Sequence, residues 1–410
     1  MRVGRTIPPA ASPIYPHDII NGLKALLRGS REVERYRLEL KAYFGVRHCF
    51  LLSSGKAALT VILKAMHSMY PRRDEVLIPA FCCYSVPSAI VRAGLKIRLC
   101  DIDPETLDFD YDQLERGVYG VSSQKLLVVI PVNLFGLAAD VDRVRNLILD
   151  SQIHIIEDSA QALGATPSGR KLGTRTDIGF FSLGRSKPIS TVEGGIIITD
   201  RDDIAIRIES AIAETPRYSR LELLKIFLQA LALILFQRPS LFWFPKTLPF
   251  LRVGDTIYDP EFKIRRFSAF QAGLAKNWGK KLSDFERVRK NTANQLKQAL
   301  DTSLMSIYSG QNGIEPHHVR FPIRIQEAKL WQRLVSNSEA LGLGIMPTYP
   351  DSINGISELR GQFARQNFRV ARDLTGQLLT IPVHPLLADS DKRKIISNVN
   401  ALSKQVDMPG

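Results

Sequence analysis

The chain has 410 residues, of which 45% are hydrophobic, 23% charged and 8% aromatic, and its formal net charge is +14. This composition excludes a disordered or fibrous protein, and the length predicts a sizeable core divided between two domains. The positive charge favours acidic partners such as nucleotides, phosphates, nucleic acid or anionic lipid. The basic residues are spread along the chain, however, so a charged surface that only contacts solvent remains an alternative.

The cysteines and the N-terminus indicate the compartment. Only four cysteines occur, and two of them, Cys82 and Cys83, are adjacent. The sequence therefore predicts neither a disulfide framework nor a metal site. Residues 1–18 lack the apolar stretch of a signal peptide. These features together predict a protein of the reducing cytoplasm.

The first half of the chain predicts strands that alternate with helices. Residues 17–45 have the apolar spacing of one amphipathic helix that ends at Gly45. The strands predicted after it are CFLL, EVLIPAF, KIRLCDID, LLVVIPV, IHIIED, DIGFFSL and GGIIITD. Such a pattern predicts an α/β fold, with a mostly parallel seven-stranded sheet flanked by helices.

From about residue 255 the pattern changes. Residues 265–300 have the spacing of a long helix, and shorter segments such as HHVRFPIRI, LLTIPV and KRKIISNVNALSKQV follow. We therefore expect a large α/β domain over 1–254 and a smaller C-terminal α+β domain over 255–410.

An apolar stretch at 221–244 stands out within the large domain. Its core of roughly a dozen apolar residues is shorter than the about 20 that span a bilayer. Basic and aromatic residues flank it. Two interpretations remain open: a buried or oligomer-interface helix, and a helix that lies in the membrane interface.

The candidate catalytic and ligand-binding residues follow predicted strands. Asp158 ends one strand, Ser182 ends the next, and Lys187 lies on the loop that follows. Ligands bind at the carboxyl ends of strands in such sheets. Ser54 and Gly55 open a helix whose N–H groups suit a phosphate.

Pyridoxal phosphate (PLP) chemistry needs this set of groups. A lysine that can lose its proton captures the aldehyde, a carboxylate keeps the ring nitrogen protonated, and N–H groups hold the phosphate. Each feature alone is equally typical of a surface lysine, a turn aspartate or an ordinary helix cap.

Eight ordered motifs make the combination specific. They are SSGKAAL (53–59), VLIPAFCC, CDIDPETLDFD, PVNLFGLAADVD, IEDSAQALGATPSGRKLG, FSLGRSKPISTVEGG, SAFQAGLA and IPVHP (381–385). In them the sequence resembles the DegT/StrS-type nucleotide-sugar aminotransferases, which have the PLP-transferase fold type I. The resemblance runs from about residue 35 to about 400, with a gap around 213–255.

The resemblance implies roles for individual residues. Lys187 would form the Schiff base with PLP and carry the proton in catalysis, Asp158 would pair with the pyridine nitrogen, and Gln161 would lie over the ring hydroxyl. The residues implied for the rest of the cofactor are Ser54, Gly55, Lys56, Cys83 and Ser182.

Three positions depart from the family pattern. Lys56 replaces a threonine, and either gives a cation to the phosphate or points to solvent. Where the family stacks an aromatic on the cofactor, this chain has Cys83, unless Tyr84 supplies the ring. Ile264 replaces an asparagine that reaches the partner subunit's phosphate, a role that Arg265 or its neighbour at 266 would have to fill.

The resemblance also implies substrate contacts. Glu193 lies in the family's EGG element, and Tyr349 aligns with a tyrosine near the substrate. His384, in the IPVHP turn, either faces the active site or has a structural role.

The expected function is PLP-dependent transfer of an amino group from glutamate to a keto-sugar nucleotide, in cell-surface polysaccharide or natural-product sugar biosynthesis. A homodimer is implied, cytoplasmic and with a possible peripheral contact to the inner membrane face through 221–244. Two alternatives remain: a PLP-dependent sugar dehydratase, whose relatives typically carry histidine where Lys187 stands, and a catalytically altered protein that binds a partner or membrane.

Other classes lack their signatures. No helix-turn-helix, zinc or RNP-like motif supports a nucleic-acid binder, and no GxGxxG follows the first strand as in nicotinamide dehydrogenases. The sequence leaves open which sugar, nucleotide and carbon are involved, and whether the acceptor is a sugar. A lipid-linked acceptor would fit the apolar insertion and the positive charge.

Overall fold

Two β-sheets organise the chain. The computed structural model describes residues 3–119, 123–248, 251, 253–311 and 314–406. The strands are β1 (His48–Leu52), β2 (Glu75–Pro79), β3 (Lys96–Cys100), β4 (Leu126–Val129), β5 (His154–Asp158), β6 (Ile178–Ser182), β7 (Gly195–Thr199), β8 (Ser306–Ile307), β9 (Phe321–Arg324), β10 (Met346–Pro347) and β11 (Leu378–Ile381).

The helices cover both faces of the larger sheet and one side of the smaller one. They are α1 (Pro16–Arg28), α2 (Ser30–Phe44), α3 (Gly55–Met69), α4 (Ser85–Arg92), α5 (Tyr111–Tyr119), α6 (Val141–Leu147), α7 (Asp202–Glu214), α8 (Arg220–Phe236), α9 (Trp243–Lys246), α10 (Ala269–Leu274), α11 (Trp278–Ala299), α12 (Ala328–Leu341), α13 (Arg369–Thr375) and α14 (Asp389–Val406).

The larger sheet has seven strands in the order β1-β7-β6-β5-β4-β2-β3. Strands β6, β5, β4, β2 and β3 are parallel, and β7 is antiparallel to both of its neighbours. All residues of β4, β5 and β7 are buried, as expected for strands covered by helices on both faces. The predicted α/β class with a mostly parallel seven-stranded sheet is confirmed.

The smaller sheet, β10-β11-β9-β8, is antiparallel. Its apolar face packs against α11, α12 and α14 in a core that also contains Ile7. The backbone N–H of Ile7 donates to Gly342 O at 2.9 Å, and that of Thr6 donates to Pro239 O at 2.7 Å. The N-terminal segment thus packs on the C-terminal sheet. The boundary between residues 254 and 255 stays a prediction.

The single helix expected over 17–45 is wrong. Helix α1 ends at Arg28 and α2 begins at Ser30, with Gly29 between them at φ 56° and ψ −130°. Only glycine adopts this conformation readily, so the chain turns there. The long helix expected over 265–300 is likewise divided into α10 and α11.

The apolar stretch forms α8, which begins with a capping box between Ser219 and Glu222. One side of α8 buries Ile226 and Ala230 in a cluster with residues of α1 and α10. The opposite side exposes the leucines at 221, 224, 228, 231 and 235. Within the described residues, no helix is both long and apolar enough to cross a bilayer.

Candidate active site

A small cavity lies at the carboxyl edge of the larger sheet. Strands β5 and β6 end there at Asp158 and Ser182, and the loop after β6 brings Lys187 to the same place. Seven of the residues proposed from the sequence line this cavity: Gly55, Lys56, Cys83, Asp158, Gln161, Ser182 and Lys187. We call it the lysine cavity.

Asp158 presents a buried carboxylate to the cavity. Burial raises its pKa to about 6, although the backbone N–H of Ala160 and the nearby charge of Lys187 lower it. Its Oδ1 accepts that N–H at 2.9 Å, and Oδ2 has no hydrogen-bond partner in the described part of the chain. At neutral pH the group is therefore mostly ionised, with one oxygen available to a ligand.

The other end of the cavity is the beginning of α3. Ser54 is the N-cap, and its Oγ accepts the backbone N–H of Ala57 at 3.1 Å. A Cβ added to Gly55 would lie 2.9 Å from Cβ of Ser182, so only glycine fits there. The first N–H groups and the dipole of this 15-residue helix favour an anion.

Two residues that the sequence analysis missed hold the backbone of the lysine loop. The Lys187 carbonyl accepts hydrogen bonds from the Ser12 hydroxyl and, at 3.4 Å, from the Arg289 guanidinium. Arg289 also donates to Pro188 O at 2.9 Å. Ser12 and Arg289 are buried and do not line the lysine cavity, so the loop is fixed by residues outside it.

The sequence contains a signal for Arg289. In α11, Leu282, Phe285, Arg289 and Leu296 share the buried face. An arginine on the apolar face of an amphipathic helix must find buried partners, because an unpaired buried charge is costly. Burial lowers the pKa of Arg289 to about 10. No comparable pattern marks Ser12, which lies outside any helix or strand.

The positions of Cys83 and Tyr84 differ. Cys83 lines the lysine cavity, whereas Tyr84 does not. The Tyr84 hydroxyl donates to Asp351 O and accepts the Asp351 N–H, both at 2.9 Å. Cys83 is therefore the residue of this pair that faces the site.

Lys56 lines the cavity, but its charge is already paired. Its Nζ lies 3.1 Å from Asp259 Oδ2 and 4.3 Å from the centre of the Phe262 ring. The structure thus places the ammonium group neither free in solvent nor unpaired at the start of α3.

The arginines next to Ile264 bind within their own chain. Arg265 pairs with Glu222 at 3.0 Å, and Arg266 donates to the carbonyls of Thr215 and Ala213. Both guanidinium groups have partners that do not belong to another subunit.

Of the three expected substrate residues, only Tyr349 lines a cavity together with Lys187. It lines a second cavity that also contains Lys187, and its hydroxyl accepts from Gln161 Nε2 at 3.4 Å. Glu193 lines neither cavity, and its carboxylate accepts the Tyr218 hydroxyl.

His384 is fully buried away from both cavities. Its Nδ1 accepts the Leu386 N–H at 3.2 Å, so Nε2 carries the proton and donates to Pro8 O at 2.7 Å. Burial lowers its pKa to about 4, so the ring is neutral at physiological pH. The structure thus gives His384 a contact with the N-terminal segment and places it outside the site.

The residues of the lysine cavity fit PLP. A primary amine, an ionised carboxylate with an unpartnered oxygen, and a helix N-terminus at which a glycine is required surround one space. These are the groups that PLP needs for its aldehyde, ring nitrogen and phosphate. In the described residues, no group of histidine, cysteine, aspartate and glutamate side chains is arranged to hold a metal ion.

The chain is similar in sequence to known aminotransferases and to a related dehydratase. The model of the DegT/DnrJ/EryC1/StrS aminotransferase family matches residues 19–215 and 262–400. A Streptomyces lividus L-glutamine:2-deoxy-scyllo-inosose aminotransferase is 27% identical over 381 residues, which are 92% of this chain and 83% of that protein. A Yersinia pseudotuberculosis GDP-4-keto-6-deoxy-D-mannose 3-dehydratase is 29% identical over 205 residues. That alignment covers 48% of this chain and spans about half, 51%, of the dehydratase.

Solved structures support the fold. PseC of Helicobacter pylori, an aminotransferase involved in the biosynthesis of pseudoaminic acid, superimposes with a TM-score of 0.78. The match covers 98% of this chain and all of PseC, at 16% identity. DesI, solved with its TDP-sugar product, also gives 0.78, covering 99% of this chain and 94% of DesI at 19% identity.

Proposed function

Because the chain belongs to the DegT/DnrJ/EryC1/StrS aminotransferase family, we propose that it transfers an amino group from glutamate to a keto-sugar nucleotide, with PLP as cofactor. The product would serve cell-surface polysaccharide or natural-product sugar biosynthesis. The observation that carries this proposal is the lysine cavity, which is lined by both Lys187 and Asp158.

When bound, PLP supplies an aldehyde that captures amines and a ring that withdraws electrons. Lys187 Nζ would hold the aldehyde carbon covalently and carry the proton between the substrate carbon and the cofactor. The Asp158 anion would keep the ring nitrogen protonated. The start of α3, with Ser54, Gly55 and the Ser182 hydroxyl, would hold the phosphate.

The remaining residues of the site would orient the reactants. Gln161 and Tyr349, joined by a hydrogen bond, line the side of Lys187 that faces the second cavity. Cys83 would fill the space over the cofactor ring with a polarizable thiol, because no aromatic side chain occupies its position.

A panel of keto-sugar nucleotides tests the reaction. The purified holoenzyme would be supplied with ¹⁵N-glutamate and each keto-sugar, and the products would be examined by mass spectrometry. Transfer of ¹⁵N to a sugar supports the proposal. Consumption of glutamate with an unlabelled, dehydrated sugar would support the dehydratase, an activity named for one of the matching relatives. Lack of turnover, together with failure of glutamate to react with the holoenzyme, would favour a protein that only binds.

We also propose a homodimer, located in the cytoplasm, that touches the inner membrane face through residues 221–244. The five leucines exposed along α8 support the membrane contact, since an apolar helix face beside basic residues binds anionic lipid surfaces. Sedimentation velocity would test the dimer.

Vesicle sedimentation tests the membrane contact. Replacing Leu228 and Leu231 with aspartate should remove binding to anionic vesicles, whereas replacing Leu149 and Leu341, exposed leucines outside 221–244, with aspartate adds the same charge and should leave binding unchanged. Failure of the unmodified protein to sediment with anionic vesicles would contradict this contact.

A further inference from the structure

A second cavity, of about 560 Å³, opens directly onto the lysine. Cys83, Gln161 and Lys187 line both cavities, so the two cavities meet at the lysine. We call it the acceptor cavity. Part of its wall comes from α8 and α9, which lie within residues 216–261 that the family model leaves unmatched. This wall therefore lies outside the part of the chain that the family model matches.

The wall formed by the insertion is mainly apolar. Ala232, Leu233 and Phe236 contribute from α8, and Phe242 and Pro245 follow from the segment that ends in α9. These side chains face a cavity, although burial of apolar surface would stabilise the protein. A ligand with an apolar part would complete their burial.

The acceptor cavity also has polar groups. Arg320, on the approach to β9, lines the cavity beside Tyr349 and Cys83, and no described residue forms an ion pair or hydrogen bond with its guanidinium group. An unpaired guanidinium at the edge of a cavity favours an anion, and a phosphate offers the bidentate geometry that arginine prefers.

Gln237 adds a second unsatisfied group. Its side chain is 7% exposed, and Nε2 donates to Arg185 O at 3.3 Å, on the lysine loop. Its Oε1 is buried and has no partner. A buried acceptor without a donor costs free energy, and a hydroxyl of a bound ligand would supply the missing hydrogen bond.

We propose that the acceptor cavity binds an amphiphilic acceptor, in which a phosphate joins the keto-sugar to a long apolar chain. The chain lies against Leu233 and Phe236, the phosphate pairs with Arg320, and a sugar hydroxyl donates to Gln237. The inference rests on the proposed amino transfer to a keto-sugar and changes the rest of the acceptor: the phosphate carries an apolar chain in place of the nucleoside.

Calorimetric titration of the holoenzyme tests this preference without turnover. The probes are decyl phosphate below its micelle concentration, ethyl phosphate and uridine monophosphate. We expect decyl phosphate to bind at least about tenfold tighter than either of the others, because each buried methylene adds to affinity. Equal binding of decyl and ethyl phosphate, or tighter binding of uridine monophosphate, would overturn the proposal.

Variants locate the binding. Leu233→Asp should weaken decyl phosphate at least about tenfold, and Leu235→Asp, two residues along the same helix but 49% exposed, should leave it unchanged. Ala232→Trp, which fills the cavity without adding charge, should have the same effect as Leu233→Asp. Arg320→Gln should weaken decyl and ethyl phosphate alike. If the folded Ala232→Trp and Leu233→Asp holoenzymes both bind decyl phosphate normally, the cavity assignment is wrong.

Separate outcomes identify the source of the ligand's apolar chain and test the proposed amino transfer. Binding to phosphatidylcholine vesicles only when they contain a polyprenyl phosphate would assign a membrane lipid, and binding of soluble decyl phosphate alone would assign a free amphiphile. If glutamate fails to convert the holoenzyme while decyl phosphate binds, amino transfer is wrong and the cavity assignment holds. If glutamate reacts but decyl phosphate does not bind, only the present inference fails.

Discussion

The buried, ionised carboxylate of Asp158 lowers the stability of the ligand-free protein. Burial raises its pKa from 3.8 to about 6, so the folded state disfavours the charge that the unfolded chain carries freely. The folded protein then binds more protons than the unfolded one between about pH 4 and 6. Stability falls as the pH rises through this window, and the cost persists above it.

Asp158→Asn should therefore stabilise the apoprotein while abolishing function. At about pH 7.5 the gain should approach about 2–3 kcal/mol, since the shift is roughly two pKa units, and it should shrink as the pH falls toward 4.5. Urea unfolding at the two pH values measures it. Turnover should fall by at least about 100-fold, because an amide leaves the ring nitrogen without its anion.

Asp177 provides the opposite control. Burial would raise its pKa, but the nearby His154 ring, the hydrogen bond from the Ile155 N–H and the charge of Arg201 lower it. The fold therefore favours this charge, and Asp177→Asn should lower the free energy of unfolding at neutral pH. A gain in stability from both substitutions would show that burial of Asp158 is not the cause.

Gly55→Ala tests the phosphate end of the lysine cavity. The new Cβ would lie 2.9 Å from Cβ of Ser182, so the start of α3 would have to shift away from the phosphate that we propose it holds. We expect PLP to bind at least about tenfold more weakly in an equilibrium dialysis measurement. Gly279→Ala, in the open first turn of α11, should leave PLP affinity unchanged. Unchanged affinity in Gly55→Ala would contradict the assignment.

At the scale of residues, the sequence predicts the site residues that directly follow strands. It does not predict the site residues that come from segments distant in sequence. Asp158 and Lys187 could be recognised because apolar strands lead into them within motifs. Arg320, Gln237 and Ser12 reach the site from distant segments, so only the fold brings them there. The orientations of Glu193 and His384 also depend on contacts that local sequence does not encode.

At the scale of elements, α11 connects the lysine loop to the rest of the molecule. Arg289 lies on its buried face and binds the carbonyls of Lys187 and Pro188. The loop has no strand or helix of its own to fix the lysine. The helix therefore supplies the rigidity that the proposed catalytic role of Lys187 requires.

Arg289→Met should loosen this loop and leave two carbonyls without donors. We expect turnover to fall about 10- to 100-fold, and the free energy of unfolding to fall by about 2–3 kcal/mol. Kinetics and urea unfolding measure the two effects. Arg287→Met removes an exposed guanidinium from the same helix and should change neither quantity beyond about 0.5 kcal/mol. Wild-type turnover in Arg289→Met would exclude a positioning role.

Helices and strands could be predicted well where apolar periodicity defines them, and less well where the backbone angles of one glycine end a helix. The seven strands of the larger sheet could be found because each is a short apolar run between turns. The division of α1 from α2 depends on the backbone angles of Gly29, to which side-chain periodicity is insensitive. The direction of β7, antiparallel to β1 and β6, is set by tertiary pairing that no local pattern specifies.

At the scale of the whole molecule, the chain closes its site with segments far apart in sequence. The N-terminal segment packs on the smaller sheet and reaches the lysine loop through Ser12. The insertion covers the acceptor cavity from the other side with α8. Sequence alone predicts an α/β part and a smaller α+β part, but not these long-range contacts, because each contact needs the complete fold.

The central claim is that the amine at 187 holds PLP opposite the Asp158 carboxylate. Borohydride reduction of the reconstituted protein, followed by digestion and mass spectrometry, tests it most directly. We predict a pyridoxyl group on the peptide that contains Lys187 and its disappearance in Lys187→Ala. A pyridoxyl group on a different lysine, or none after full reconstitution, would contradict the account.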